Sequence, residues 1–347
     1  MKIALDAMGG DLAPASPVAG AVEALHRHTD IEIILVGDEA RIAQEFARLH
    51  TRQPKRITIR HASQVVEMGD SAIDAVRRKK DSSISRAVDL LADGGADALV
   101  SAGHTGAFVA AAKVKLRTLP GVDRPGIATV MPTENSLFLL IDAGANVDSE
   151  PKHLLQFGIM GSVYSREVLG RKNPRVGLMS IGSEASKGNE LTREAYKELS
   201  RAQLNFIGNV EGHDLFNKAV DVVVCDGFVG NVILKTSESL AGAIFAWLRR
   251  ELKKDLVRTV GAMMAKEAFY AIRRRTNTEE YGGMPLLGVN GICIKAHGNS
   301  TPKAIRNAIR VAREAVLQQV NPHIIEEIAQ HEERVLANHA THSERSL

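Results

Sequence analysis

Seven times along the 347 residues, a short run rich in Val, Ile, Leu and Ala stops at a polar residue and a glycine-containing turn. The runs are 2–7, 31–36, 98–101, 137–141, 175–181, 221–225 and 291–295. Helical stretches follow at 16–25, 39–49 and 107–116, and from Pro151, Leu191 and Pro302. Strands that alternate with helices predict a mostly parallel sheet covered on both faces, which places the chain in the α/β class. Ligands of such sheets bind beyond the carboxyl ends of the strands. Helix N-termini present free N–H groups and a positive dipole end there. The glycine loops all follow strands, so the pattern predicts that they converge on one edge and hold an anion. One glycine loop would mean only a tight turn. Five loops with Asp, Asn, His or Lys beside glycine argue for a phosphate or carboxylate site.

The chain is longer than the roughly 250–300 residues at which one core stops growing. We therefore expect a single two-lobed domain over 1–337, with a helical hairpin at about 238–280 and a disordered polar tail at 338–347. A formal charge of +3 gives no case for nucleic acid. An acid at position 6 comes too early for a signal peptide. The longest apolar run, 240–248, is far short of the roughly 20 residues of a membrane span. A cytoplasmic protein is the expectation. Cys225 and Cys293 end apolar runs and read as buried, reduced thiols.

Several machineries are missing. There is no G-x-G-x-x-G after the first strand, no Walker loop, no G-x-S-x-G elbow, no H-E-x-x-H and no Cys/His cluster. What remains is glycine, asparagine, one loop lysine and a few acids and histidines. That set suits a substrate that brings its own nucleophile, with the protein positioning it and offsetting charge.

The stretches DAMGGD (6–11), SAGHTGA (101–107), DAGANVD (142–148), QFGIMGSVYS (156–165), KGNELT (187–192), CDGFVGNVILKT (225–236), YGGMPLLGV (281–289) and IKAHGNS (294–300) closely resemble the bacterial phosphate acyltransferase family, the acyl-ACP:phosphate transacylases. The resemblance runs from residue 2 to about 320 in the family's order and spacing. Two positions depart from the family's habit: Leu12, where a histidine or aromatic is common, and His104, where asparagine is usual. The resemblance implies a three-layer α/β/α sandwich like isopropylmalate dehydrogenase and phosphotransacetylase, assembled as a homodimer. It implies that inorganic phosphate attacks the thioester of a fatty acyl chain carried on acyl carrier protein. The acyl phosphate product feeds glycerol-3-phosphate acylation at the membrane. No cofactor and no metal is implied.

Lys187 is the expected charge donor, Asn231 either a helix N-cap or an oxyanion donor, and His297 either a structural histidine or the proton donor to the leaving thiolate. Phosphate or substrate contacts are expected from Asp6, Gly9 and Gly10, from Gly103, His104, Thr105 and Gly106, and from Asn146 and Asn189. Asp226, Gly227, Gly230 and Asn299 complete that set. Acids beside a phosphate repel it, so Asp6, Asp142 and Asp226 read mainly as groups that order loops.

Two basic surfaces remain. Arg77, Arg78, Lys79 and Lys80 would suit an acidic carrier protein. Residues 244–275 carry nine Lys or Arg against three acids, with an apolar stripe. That segment reads as a hairpin whose base dimerises and whose tip (Val260, Met263, Met264, Phe269) touches an anionic membrane. Two other functions stay open. An NAD-dependent hydroxyacid dehydrogenase shares the fold but would need a nucleotide pocket. A non-catalytic carrier-protein or lipid-binding module would bind without phosphate-dependent turnover.

Overall fold

The computed structural model describes the chain apart from Met68, Lys218, Asn277 and residues 345–347. The chain opens with β1 (Lys2–Asp6), α1 (Ala15–Arg27), β2 (Glu32–Gly37), α2 (Glu39–Arg48), β3 (Ile57–His61), α3 (Ala72–Arg78), α4 (Ser83–Ala92), β4 (Ala98–Ser101) and α5 (Thr105–Lys115). It continues through β5 (Gly126–Pro132), β6 (Leu137–Ile141), α6 (Pro151–Glu167), β7 (Arg175–Met179), α7 (Glu190–Arg201), β8 (Asn205–Val210) and β9 (Val222–Val224). It closes with α8 (Gly227–Leu252), α9 (Leu256–Met264), α10 (Lys266–Thr276), β10 (Met284–Leu287), β11 (Ile292–Lys295), α11 (Pro302–Leu317) and α12 (Val320–Glu344).

The strands form one sheet in the order β3-β2-β1-β4-β11-β10-β5-β6-β9-β7-β8. Helices cover both faces, so the strands are apolar on both sides and read as near-continuous hydrophobic runs. In β1, Ile3 and Leu5 pack with Ile305 and Ile309 of α11, whereas Ala4 joins the cluster of Val88 and Phe108 on the opposite face. In β6, Leu139 and Ile141 pack with Phe157 and Met160 of α6, whereas Phe138 and Leu140 join Val223 and Leu215. This is the expected three-layer α/β/α sandwich.

Strand direction departs from expectation. β3, β2, β1, β4 and β11 are mutually parallel. So are β6, β9, β7 and β8. Between these blocks, β10 pairs antiparallel with β11 and β5, and β5 pairs antiparallel with β6. Three reversals leave the two blocks pointing opposite ways. The glycine loops therefore do not share one edge. Those after β1, β4 and β11 leave one edge, and those after β6, β7 and β9 leave the other. The cause is β5 and β10, two strands that lie outside the repeated strand–loop–helix units.

The helical hairpin is formed by the outer part of α8 with α9 and α10, and neither α9 nor α10 buries a residue. No helix among the described residues is long and apolar enough to cross a membrane. α12 continues as helix through Glu344, where the composition pointed to a disordered tail from 338; residues 345–347 of that tail lie outside the described residues.

Candidate active site

At the first edge three loops are sewn together. Asp11 N–H donates to Gly298 O at 2.7 Å. Gly10 has φ +101°, and a Cβ there would stand 2.8 Å from Gly298 O. A Cβ on Gly9 would stand 2.5 Å from Gly103 N, so both glycines are required by close approach. Beneath them lies Asp6, wholly buried, accepting from Ser101 Oγ at 2.7 Å and Met8 N–H at 3.1 Å. Burial pushes its carboxyl above the usual range, against the pull of Ser83, Ser101, Met8 and Lys295. His104 caps α5, its Nδ1 accepting Ala107 N–H at 3.0 Å, with Thr105 and Gly106 in the first turn.

At the other edge Asp142 organises the loop after β6. Its carboxylate accepts the backbone N–H groups of Ile127, Gly144, Ala145 and Asn146 and the amide of Asn146, at 2.7 to 3.2 Å. An acceptor so engaged orders its loop and leaves no room for a ligand. Gly227 N–H donates to Asn146 O at 2.8 Å. A Cβ on Gly230 would stand 1.9 Å from Asp142 O, so α8 lies closer to this loop than any side chain permits. Asp226, not Asn231, is the N-cap of α8, accepting Val229 N–H at 2.9 Å. Asn231 sits one turn inside the helix, with its side chain against Gly144. Asn189 caps α7 through Thr192 N–H at 2.9 Å. Lys187 is exposed on the preceding loop, folded against Gly182, with no side-chain ion pair among the described residues.

α8 joins the two loop sets. Asn231, Lys235 and Glu238 fall at i, i+4 and i+7 and so share one face. By Glu238 the helix has risen roughly 10 Å from Asn231. There Glu238 Oε1 lies 3.2 Å from His297 Nε2, and Glu238 Oε2 lies 3.2 Å from Lys235 Nζ. These three side chains line a cavity of about 1160 Å³ that also takes in Asp11 and Asn299. Leu234, Leu240, Ile244 and Phe245 supply apolar wall. Burial lowers the pKa of His297; Glu238 raises it, and Lys235 and Lys295 oppose Glu238.

Glu238, Lys235 and Lys295 were not among the expected residues. Lys295 is 2% exposed at the end of β11, and burial pushes its pKa down to about 8 although Asp6 raises it. Its position inside IKAHGNS was the available signal. Lys235 had the same kind of signal, standing inside CDGFVGNVILKT; Glu238 had none, since a Lys–Glu i,i+3 pair on a helix reads as a solvated face.

Both cysteines are buried, which pushes their thiols well above the ordinary range and leaves neither as a ready nucleophile. Arg77, Arg78 and Lys80 are exposed. Lys79 points inward, donating to Asp70 at 2.6 Å and to Val65 O at 2.9 Å, and ties down its own loop. On the hairpin, Val260, Met263 and Met264 are exposed. Phe269 instead turns in, lining a cavity of about 390 Å³ with Phe245, Leu248 and Leu252 of α8.

Among solved structures, the fold matches EutD phosphotransacetylase from Staphylococcus aureus with a TM-score of 0.60 at 16% identity, over 91% of this chain and 94% of that one. A phosphotransacetylase from Streptococcus pyogenes matches at a TM-score of 0.59 and 18% identity, over 91% and 94%. The family model described as "Fatty acid synthesis protein" matches residues 1–323. The phosphate acyltransferase of Pelotomaculum thermopropionicum is 54% identical over 316 residues, 91% of this chain and 92% of that protein. That of Syntrophotalea carbinolica is 51% identical over 326 residues, 94% and 93% of the two chains. The chain belongs to the phosphate acyltransferase family.

Proposed function

We propose that this protein transfers a fatty acyl group from the thioester of acyl carrier protein to inorganic phosphate, releasing acyl phosphate for phospholipid synthesis. The observation that carries the reading is the polar cluster of Lys235 and Glu238 on α8 with His297 across from Glu238, lining one cavity with apolar wall beside it. A charged reactant and an aliphatic chain need those two kinds of surface side by side.

In the reaction a phosphate oxygen attacks the thioester carbonyl carbon, forming a C–O bond as the C–S bond breaks. The lowered pKa of His297 keeps its ring neutral near pH 7. It therefore acts first as a base, accepting the proton of the phosphate monoanion, and then returns that proton to the departing thiolate. Glu238 holds the imidazole and steadies it while charged. Lys235 offsets phosphate charge, whereas Lys187 and Asn231, the expected charge and oxyanion donors, are not in the lining of this cavity. Asn299 lines the wall for the substrate, and the loop of Gly103, His104, Thr105 and Gly106 backs the β1 loop that carries Asp11. Arg77, Arg78 and Lys80 receive the acidic carrier protein. The enzyme works in the cytoplasm as a homodimer, with the hairpin tip on the membrane surface near the glycerol-3-phosphate acyltransferase that consumes the product.

Hydroxylamine trapping tests this reading. Acyl-ACP with phosphate should give hydroxamate in proportion to thioester lost, and acyl-CoA should serve less well. Turnover confined to acyl-CoA would remove the carrier protein from the proposal. No phosphate-dependent product from either thioester would remove the reaction.

A further inference from the structure

A second cavity, of about 690 Å³, lies where the end of α1, the last turn of α10 and the first half of α11 meet. Its lining carries Arg27, Arg274, Lys303, Arg306 and Arg310 against one acid, Glu280. Lys303, Arg306, Asn307 and Arg310 are spaced i, i+3, i+4 and i+7, so all four project from one face of α11. His28 and Asn307 complete the lining, and no aliphatic residue contributes to it. The main cavity takes Ala304 of the same helix and its N-cap Thr301, so the two cavities lie on neighbouring faces of α11.

The cations are only partly matched. Arg306 Nη1 meets Glu23 at 3.0 Å, and Arg310 Nη1 meets Glu314 at 2.8 Å. Lys303 pairs with Glu280, and Arg274 reaches the same carboxylate at 3.9 Å. Arg27 has no ion-pair partner among the described residues. A guanidinium has five N–H donors in a planar fork. Arg310 spends only one of its two terminal nitrogens on Glu314, which leaves Nε and Nη2 for a ligand.

We infer that this cavity is a binding site for a small polar polyanion bearing at least two phosphate or carboxylate groups. Guanidinium forks match those groups bidentately. The number of cations, and their distribution over three elements, exceeds what a single anionic group can engage. A lining without aliphatic side chains offers nothing to an acyl chain. The site is separate from the stripe on α8 and does not depend on the acyl-transfer reading.

Inorganic diphosphate is the probe, titrated calorimetrically into the full-length protein at low salt. Binding should be 1:1 per chain. Arg27→Ala combined with Arg274→Ala should weaken it at least tenfold, while circular dichroism and thermal midpoint stay as in the wild type. Neither of these two residues braces α11 against α1 as Arg306 does, so the double variant should fold. Lys235→Gln, at the main cavity, should leave the affinity unchanged. If diphosphate does not bind, or if Lys235→Gln rather than the arginine pair abolishes binding, the assignment is wrong. If polyglutamate binds through Arg27 and Arg274 while diphosphate does not, the surface docks an acidic protein and the small-ligand assignment is likewise overturned.

Discussion

A histidine set between a carboxylate and two ammonium groups does not titrate as it would in water. Burial drives His297 toward the neutral ring, Glu238 raises its pKa, and Lys235 and Lys295 lower it. Replacing Glu238 with Gln removes the one raising neighbour at hydrogen-bond distance. The pKa of His297 should then fall further, and the acidic limb of the kcat/KM profile should move to lower pH. Turnover on the plateau should drop about tenfold, and His297→Gln should cost roughly 10² or more, the usual range for a general acid–base group. A pH–rate profile superimposable on the wild type in Glu238→Gln would sever that link. Lys295 calls for a stability measurement. It supplies positive charge to buried Asp6, whose pKa is already raised by burial. In Lys295→Met, Asp6 loses that cation and its folded-state pKa climbs. A group with a raised carboxyl pKa costs stability where it must be charged and stops costing where it is protonated. The deficit in thermal midpoint should thus be largest at neutral pH and shrink as pH falls. A deficit that does not vary with pH would mean that Lys295 acts through packing alone. At this scale the sequence was half legible. His297 stands in a polar glycine loop and Asn231 in a glycine-rich motif, where chemistry announces itself. Lys235 shares that motif, but as a helical pair it and Glu238 look merely exposed until the β11–α11 loop brings His297 against Glu238.

At the scale of elements, α8 does two jobs with different glycine requirements. Its first turns need Gly227 and Gly230 so that the helix can lie against the loop of Asp142. Farther out, Gly242 meets nothing within 4 Å of an added Cβ. Gly230→Ala must displace the Asp142 carbonyl and should cost more than about 4 kcal/mol, the range in which a specific clash is the cause. Gly242→Ala should instead stabilise by about 0.5–1 kcal/mol through helix propensity. Urea unfolding of both variants checks the pair, and equal effects would contradict this account of α8. The helix was legible from CDGFVGNVILKT, but its start was not. Asp226 and Asn231 are both good caps by type. The choice went to Asp226 because the glycine after it lets the chain turn tightly beside Asn146.

The whole molecule is two parallel blocks of opposite direction joined by antiparallel strands. The repeated strand–loop–helix units made the class and the layers readable. They could not show the reversal, because β5 and β10 each run on to the next strand without a helix and fall outside those units. The candidate site is consequently a cavity along α8, in place of a ring of loops at one edge. Beyond the sheet, the hairpin carries exposed Leu256, Val257, Met263 and Met264 at 63 to 85% exposure. Basic residues flank this apolar tip, and each contributes about 1 kcal/mol near an anionic surface. Val260, Met263 and Met264 replaced together by Glu should abolish sedimentation with anionic vesicles at low salt, with soluble activity and native mass retained. A triple variant that still binds vesicles, or that dissociates into inactive monomers, would reassign the hairpin to oligomerisation.

The central claim is that phosphate itself attacks the thioester, with no acyl-enzyme on the way. Intact-mass spectrometry of the enzyme after mixing with acyl-ACP, with and without phosphate, tests it directly. Without phosphate the thioester should persist and the enzyme mass stay unchanged; with phosphate, one acyl phosphate should form per thioester consumed and the enzyme should again carry no adduct. An acyl group found on Cys225, Cys293 or any other side chain, or thioester lost at the same rate without phosphate, would contradict the account.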